Sequence, residues 1–122
     1  MHSFGTSCGS AVNVVFGPVI VKGTPNAFAG TRLEARLREQ TIDALVMAGF
    51  ITNNSVETTA RVAATLGFRV WVARDATATF DGVDCDGRLW SAEDVHARSL
   101  ANLYGEYAEI VRTADLVEAV VR

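Results

Sequence analysis

Only two cysteines, Cys8 and Cys85, occur in the 122 residues. They allow one bridge at most, and neither belongs to a CxxC pair or a Cys/His cluster with metal-ligand spacing. A disulfide scaffold and a zinc site are therefore not expected, and a reduced, cytoplasmic setting is. Lysine is scarcer still, since ten of the eleven basic residues are Arg and Lys22 stands alone. No run of like charge is long enough to attract nucleic acid or anionic lipid, and 11 basic against 14 acidic residues leave a net charge of −3. Binding to nucleic acid or a membrane surface is disfavoured on that count. No apolar run approaches the ~20 residues that span a bilayer. The first twenty residues also lack a basic leader followed by an apolar segment, so a soluble, unexported chain is expected. Internal repeats and low-complexity tracts are absent too.

What is present is an ordinary globular composition, 49% apolar and 20% charged. A chain of this length fits one domain, because a compact unit usually takes ~100 to 200 residues. Such a domain removes roughly two-thirds of its unfolded surface from water. Residues 1–11 are small and polar and read as a flexible N-terminus, leaving 12–122 as the domain. Val12 to Phe16 and Val19 to Val21 are β-branched runs broken by Gly17 and Pro18, which suits strand pieces or one interrupted edge strand. Thr31 with Glu34 three residues on forms a capping box, predicting a helix from about Arg32 to Gln40. Ala44 to Gly49 is a continuous apolar run of the kind found in parallel strands covered on both faces.

After a turn at Phe50 to Asn54, Val56, Ala60, Ala63 and Ala64 repeat at helical spacing until Gly67 stops the helix near Leu66. Arg69 to Ala73 is the next strand, followed by a long polar loop from Arg74 to Trp90. Ser91 with Asp94 caps a helix carrying Ala92, Val95, Leu100, Leu103 and Tyr107 mostly on one side. Ala108 to Arg112 reads as a last strand, and Thr113 caps a C-terminal helix through Val121. Strand and helix alternate throughout, so the fold class is α/β, a mainly parallel sheet with helices on both faces. Ligands in such folds bind beyond the carboxyl ends of strands. That rule selects Lys22 to Phe28, Gly49 to Ser55 and Arg74 to Phe80.

The second of these segments leads a strand into a helix beginning near Asn54 or Ser55, where first-turn N–H groups and the macrodipole favour an anion. A nucleophile at Ser55 would have oxyanion donors beside it. Pattern alone favours the plainer alternative, in which Asn54 caps the helix with Glu57 as its partner and Ser55 merely occupies the first turn. Lys22 ends a strand on the same side of the sheet, where its ammonium could hold a carboxylate or act as a solvated strand-end charge. A lone helical His96 suits a surface or interface role better than catalysis. Asp75, at a strand end, suits bonds to loop amides. Trp71 and Trp90 suit packing, since no basic residues interleave with them as single-strand binding requires.

At these same positions the sequence resembles the isochorismatase-like cysteine hydrolase superfamily, which includes nicotinamidases and related amidohydrolases. The resemblance rests on Lys22-Gly23-Thr24-Pro25-Asn26-Ala27-Phe28 followed by Gly30-Thr31, Leu33 and Leu37. It continues through Gly49, Thr52, Ser55-Val56, Thr59-Ala60-Arg61, Leu66-Gly67-Phe68 and Asp75-Ala76, covering residues 19 to about 112. It implies a three-layer α/β/α sandwich, Rossmann-like, with a catalytic Asp on the first strand, a Lys, and a Cys at a helix start. Lys22 falls on the family lysine, and Ser55 falls where the nucleophilic Cys stands. A cis peptide in the turn before the nucleophile would map to Phe50–Ile51. The amides of Ile51 and Ser55 would then form an oxyanion hole, with Thr52 and Asn54 completing the binding turn.

The Asp strand, and the strand bearing the metal ligands that nicotinamidases use, have no counterpart before Val12, so the pattern is that of an N-terminally shortened member with no metal and no cofactor. The first functional reading is a hydrolase acting on a small amide or carboxylate-bearing metabolite. The competing one is a non-catalytic module that keeps the fold for binding or assembly. Family members commonly assemble, and Val12 to Val21 or the strand from Ala44 would present an open edge. A homo-oligomer is therefore expected, with His96, Leu103 and Tyr104 as contacts.

Overall fold

The structure, a computed structural model, describes residues 5–7 and 17–121. Three strands, β3 (Ala44–Phe50), β4 (Arg69–Ala78) and β7 (Glu109–Val111), form a parallel sheet in the order β3-β4-β7. A separate parallel pair joins β1 (Gly5–Ser7) to β2 (Val19–Val21), and β5 (Gly82–Val83) pairs antiparallel with β6 (Leu89–Trp90). Helices α1 (Leu33–Glu39), α2 (Glu57–Thr65), α3 (Ala92–Leu103) and α4 (Thr113–Val121) connect and follow the strands. Helices α2 and α3 pack on each other and on β4, and α4 also meets β4. The result is the expected α/β sandwich with a mainly parallel sheet. One core links Ile20, Leu33 and Leu37 to Val56, Ala60, Ala63, Val70, Val72, Leu100 and Leu103.

The expected neighbours β3 and β4 are adjacent and parallel, with Ala44 opposite Arg69 and Met47 opposite Val72. The ladder then slips: the next pair is Gly49 with Thr77, so β4 spends Ala73 to Ala76 against the single residue Ala48. Gly49, at φ +117°, adopts at this slip a conformation that other L-residues resist. Gly67, at φ +95°, ends α2 immediately after its C-cap Leu66, as the sequence predicts. The Ser91 cap is also found, its hydroxyl accepting from the Asp94 amide at 3.1 Å.

Several expectations are corrected. Gly5–Ser7, assigned to a flexible N-terminus, pair in register with Val19–Val21. The strand piece Val12 to Phe16 and Cys8 lie outside the described residues. The capping box at α1 does not form. Thr31 donates to the Ala27 carbonyl and accepts from the Leu33 amide at 3.3 Å, while Glu34 turns to Arg38 at 3.6 Å. The loop Arg74 to Trp90 contains the second half of β4 and the β5–β6 hairpin, because Asp84 accepts the Asp86 and Arg88 amides and the Trp90 indole N–H and so closes a tight turn. Most consequential is β3, read as covered on both faces. Its residues alternate, with Val46 55% and Phe50 71% exposed, so one face of the strand is uncovered; separately, among the described residues no strand pairs with its outer edge. The strand that is enclosed is β4, where Val72 is 0% exposed.

Candidate functional site

The carboxyl end of β3 builds the site. Phe50 is exposed, the Phe50–Ile51 peptide is cis as expected, and Ile51 remains extended at φ −101° and ψ 144°. The chain then enters a π-helical turn, Thr52–Val56, before α2 begins at Glu57. The Ile51 carbonyl closes that turn by accepting from the Asn54 amide at 3.1 Å and the Val56 amide at 3.3 Å. Such single π turns recur at functional positions. The alternative in which Asn54 caps the helix with Glu57 is not what forms, because the turn is wound from Thr52 onward and Glu57 bonds elsewhere.

A network of side chains fixes this turn from behind. Thr52 is 0% exposed, and its hydroxyl lies 2.8 Å from His96 Nδ1. The Ser99 hydroxyl lies 2.6 Å from Glu57 Oε1 and 3.1 Å from the Thr52 carbonyl oxygen. Its single hydrogen belongs to the carboxylate, the shorter and charge-assisted contact. Glu57 Oε2 accepts from Arg61 Nε at 3.2 Å, and the Arg61 guanidinium lies 4.7 Å over the Tyr107 ring. On the solvent side, the Thr79 hydroxyl donates to Asn53 Oδ1. Ser55 is half-buried and donates its hydroxyl to the Phe50 carbonyl at 2.6 Å.

The loop carrying Lys22 reaches the same helix start. Thr59, one helical turn after Ser55, donates to the Pro25 carbonyl and accepts from the Ala27 amide, both at 3.1 Å. Asn26 tightens the loop by accepting the Phe28 amide on Oδ1 at 3.0 Å. Lys22 is half-buried and its ammonium donates to the Thr24 carbonyl at 3.1 Å. The structure thus joins the segments of Lys22 and Ser55 through Thr59 and places Ile51, Asn54 and Ser55 on one turn. Thr52 is in that turn too, but its enclosed side chain faces α3, so it supports the turn from within.

Other candidates go elsewhere. Asp75 accepts the Thr113 amide and hydroxyl, each at 2.8 Å, and so caps α4, the structural role expected of it. Those bonds hold its carboxyl below the ordinary 3.8. Asp84 is lowered likewise, first by the Trp90 indole and then by the Arg88 amide. Leu103, expected at an interface between copies, is 0% exposed and belongs to the core, and His96 is engaged by Thr52 and Arg74; Tyr104, at 72%, does face outward. Trp71 donates to Glu109 at 2.6 Å beneath the Arg69 guanidinium, while Trp90 lies at the rim of a cleft of about 350 Å³ with Ile51, Asn53, Phe80, Val83 and Val95.

The residues that sequence reasoning missed are Thr59, Ser99 and the role of His96. A signal existed for two of them: His96, Ser99, Leu100 and Leu103 follow the i, i+3, i+4, i+7 spacing of one helix face, so both polar residues had to point inward. Among the described residues no group of three His, Cys, Asp or Glu could hold a metal, and no helix is long and apolar enough to cross a membrane.

Comparison with known proteins covers the same segment. Residues 13–115 match the isochorismatase domain. The chain is 35% identical over 104 residues to the isochorismatase family protein YrdC of Bacillus subtilis, covering 85% of this chain and 56% of that protein. It is 37% identical over 99 residues to Nicotinamidase 3 of Arabidopsis thaliana, covering 80% of this chain and 44% of the other. A solved structure of an isochorismatase-family protein from Chromobacterium violaceum superposes with a TM-score of 0.85 at 40% identity, over 97% of this chain and 69% of that one. The chain spans about half the length of the curated relatives it matches.

Proposed function

We propose that this chain, which belongs to the isochorismatase family, carries the nucleophile turn of a hydrolase acting on a small amide or carboxylate-bearing metabolite. The observation that carries the proposal is the turn itself. A buried residue, Thr52, and a helix start hold Ser55 at the carboxyl end of β3, and Thr59 ties the Lys22 loop to the same helix. Ser55 occupies the nucleophile position, the amides of Ile51 and Ser55 receive the oxyanion, Asn54 borders the bound substrate, and Lys22 holds negative charge. The Arabidopsis relative named as a nicotinamidase supports an amide as substrate.

A serine hydroxyl is a weak nucleophile without a base, whereas a thiol beside a cation at a helix start is already partly thiolate near neutral pH. Ammonia release from a panel of primary amides, nicotinamide included, tests the reading. Turnover should vanish in Ser55→Ala, rise in Ser55→Cys and fall in Lys22→Ala. Turnover unchanged in Ser55→Ala would overturn it.

The chain is further proposed to work as a homo-oligomer. The support is β3, which exposes Val46 and Phe50 on one face and whose outer edge, among the described residues, pairs with no strand, an edge of the kind that templates pairing.

A further inference from the structure

We propose that His96 is the positioning residue of the oxyanion-receiving turn, acting through Thr52; the proposal rests on the reading of that turn as the reactive site. The ring is fixed at both nitrogens. Nε2 lies 3.0 Å from the Arg74 carbonyl, which can only accept, so Nε2 carries the ring hydrogen. In the neutral imidazole Nδ1 is then the acceptor, and the Thr52 hydroxyl donates its hydrogen to it at 2.8 Å. The Arg74 carbonyl is available for this because it lies in the stretch of β4 that slips out of register with β3.

Thr52 is the right residue to hold. It directly follows Ile51 and lies three positions before Ser55, the two residues whose amides would meet the oxyanion. Its hydroxyl is bound to His96, and its carbonyl oxygen lies 3.1 Å from the Ser99 hydroxyl oxygen, whose hydrogen goes to Glu57. The hydrogen bond that ties this residue to α3 is therefore the one to His96. The backbone of this single π turn closes on the Ile51 carbonyl through the Asn54 and Val56 amides, and the Thr52 side chain adds a second hold, from α3. Thr52 is wholly enclosed, so without Nδ1 its hydroxyl has no water to turn to, and the turn must shift to satisfy it.

Two substitutions separate the two ends of the ring. His96→Asn keeps an acceptor near the place of Nδ1 and gives up the Arg74 bond. His96→Gln keeps a donor near the place of Nε2 and gives up the Thr52 bond. Both are compared with wild type for kcat and KM on the amide that wild type hydrolyses, for thermal midpoint, and for the backbone 15N–1H signals of Ile51 and Ser55.

The expected result is a kcat lowered roughly ten- to a hundredfold in His96→Gln with KM little changed, the scale on which small misplacements act, and partial rescue in His96→Asn. The Ile51 and Ser55 signals should move or broaden in the Gln variant more than in the Asn variant. Equal kcat in the two variants, or losses that follow the thermal midpoint alone, would overturn the proposal. If wild type turns over no amide, or Ser55→Ala is as active as wild type, the reading of the site fails. The amide signals then still decide whether His96 positions the turn: unmoved signals in His96→Gln reject it, and displaced ones uphold it.

Discussion

Strands β3 and β4 lie side by side, run parallel and are both rich in apolar residues, yet they are buried very differently. In β4, Val70, Val72 and Ala73 are enclosed, with helices α2, α3 and α4 all against it. In β3 every second residue faces outward, Val46 and Phe50 most of all. An apolar run therefore records what a strand is suited to, and coverage depends on what lies next to it. The sequence of β3 suits a strand covered on both faces, so its exposed face, beside an edge that is open among the described residues, is the argument for a second copy there.

The largest effect expected is on the enclosed strand. Val72→Ala should lower stability by about 2 kcal/mol through lost burial and an unfilled cavity, whereas Val46→Ala in isolated chains should stay within about 0.5 kcal/mol. Denaturant midpoints of the two variants measure the difference, and equal losses would erase the contrast between the strands. The open strand should instead govern assembly. Val46→Lys combined with Phe50→Lys should convert an oligomer to the 13.1 kDa monomer in light scattering. A wild type already monomeric at micromolar concentration would remove the second copy from the account.

A third variant addresses how β3 is held at its carboxyl end. Ser99→Ala removes the donor to Glu57 beside the Thr52 carbonyl and should cost about 1–2 kcal/mol, read from the denaturant midpoint. A neutral result would mean that the network adds nothing to that end of the strand.

The smallest effect belongs to Asp75 on β4. Its folded-state pKa is lowered by the Thr113 bonds, so its contribution is present above the ordinary 3.8 and is lost as pH falls through the lower folded value. Asp75→Asn should therefore flatten the acid side of the stability profile slightly and leave neutral pH behaviour close to that of Thr113→Ala. An unchanged acid limb would show that the cap does not couple to folding.

Much of this was legible beforehand, for identifiable reasons. The Ser91 cap and the Gly67 stop are local devices, complete within a few residues, and both form as read. The cis Phe50–Ile51 peptide and the turn bearing Ser55 were readable through family resemblance, since spacing alone allowed an ordinary Asn54 cap. The capping box at Thr31 failed because a nearer partner, the Ala27 carbonyl, engages the same hydroxyl. The Thr52–His96 bond joins residues 44 apart in the chain, and only the packing of α3 on the turn brings them together. Burial of β3 is not legible in its sequence because an apolar run suits coverage on both faces, whereas the face bearing Val46 and Phe50 is exposed.

The slip between β3 and β4 bears on how this sheet can change length. Up to Met47 and Val72 the partners differ by one constant offset; from Gly49 and Thr77 onward that offset is three residues larger. The surplus contains the Arg74 carbonyl that receives His96 and the Asp75 carboxylate that receives Thr113. Val72 and Thr77 are five residues apart yet both buried, so the surplus already breaks the alternation of a regular strand. Losing three residues from Ala73 to Ala76 would restore an uninterrupted ladder and delete both attachment points at once. Deletions in this stretch are consequently constrained by what it anchors: natural relatives that shorten it to a regular ladder should lack both the His96 and the Thr113 attachments.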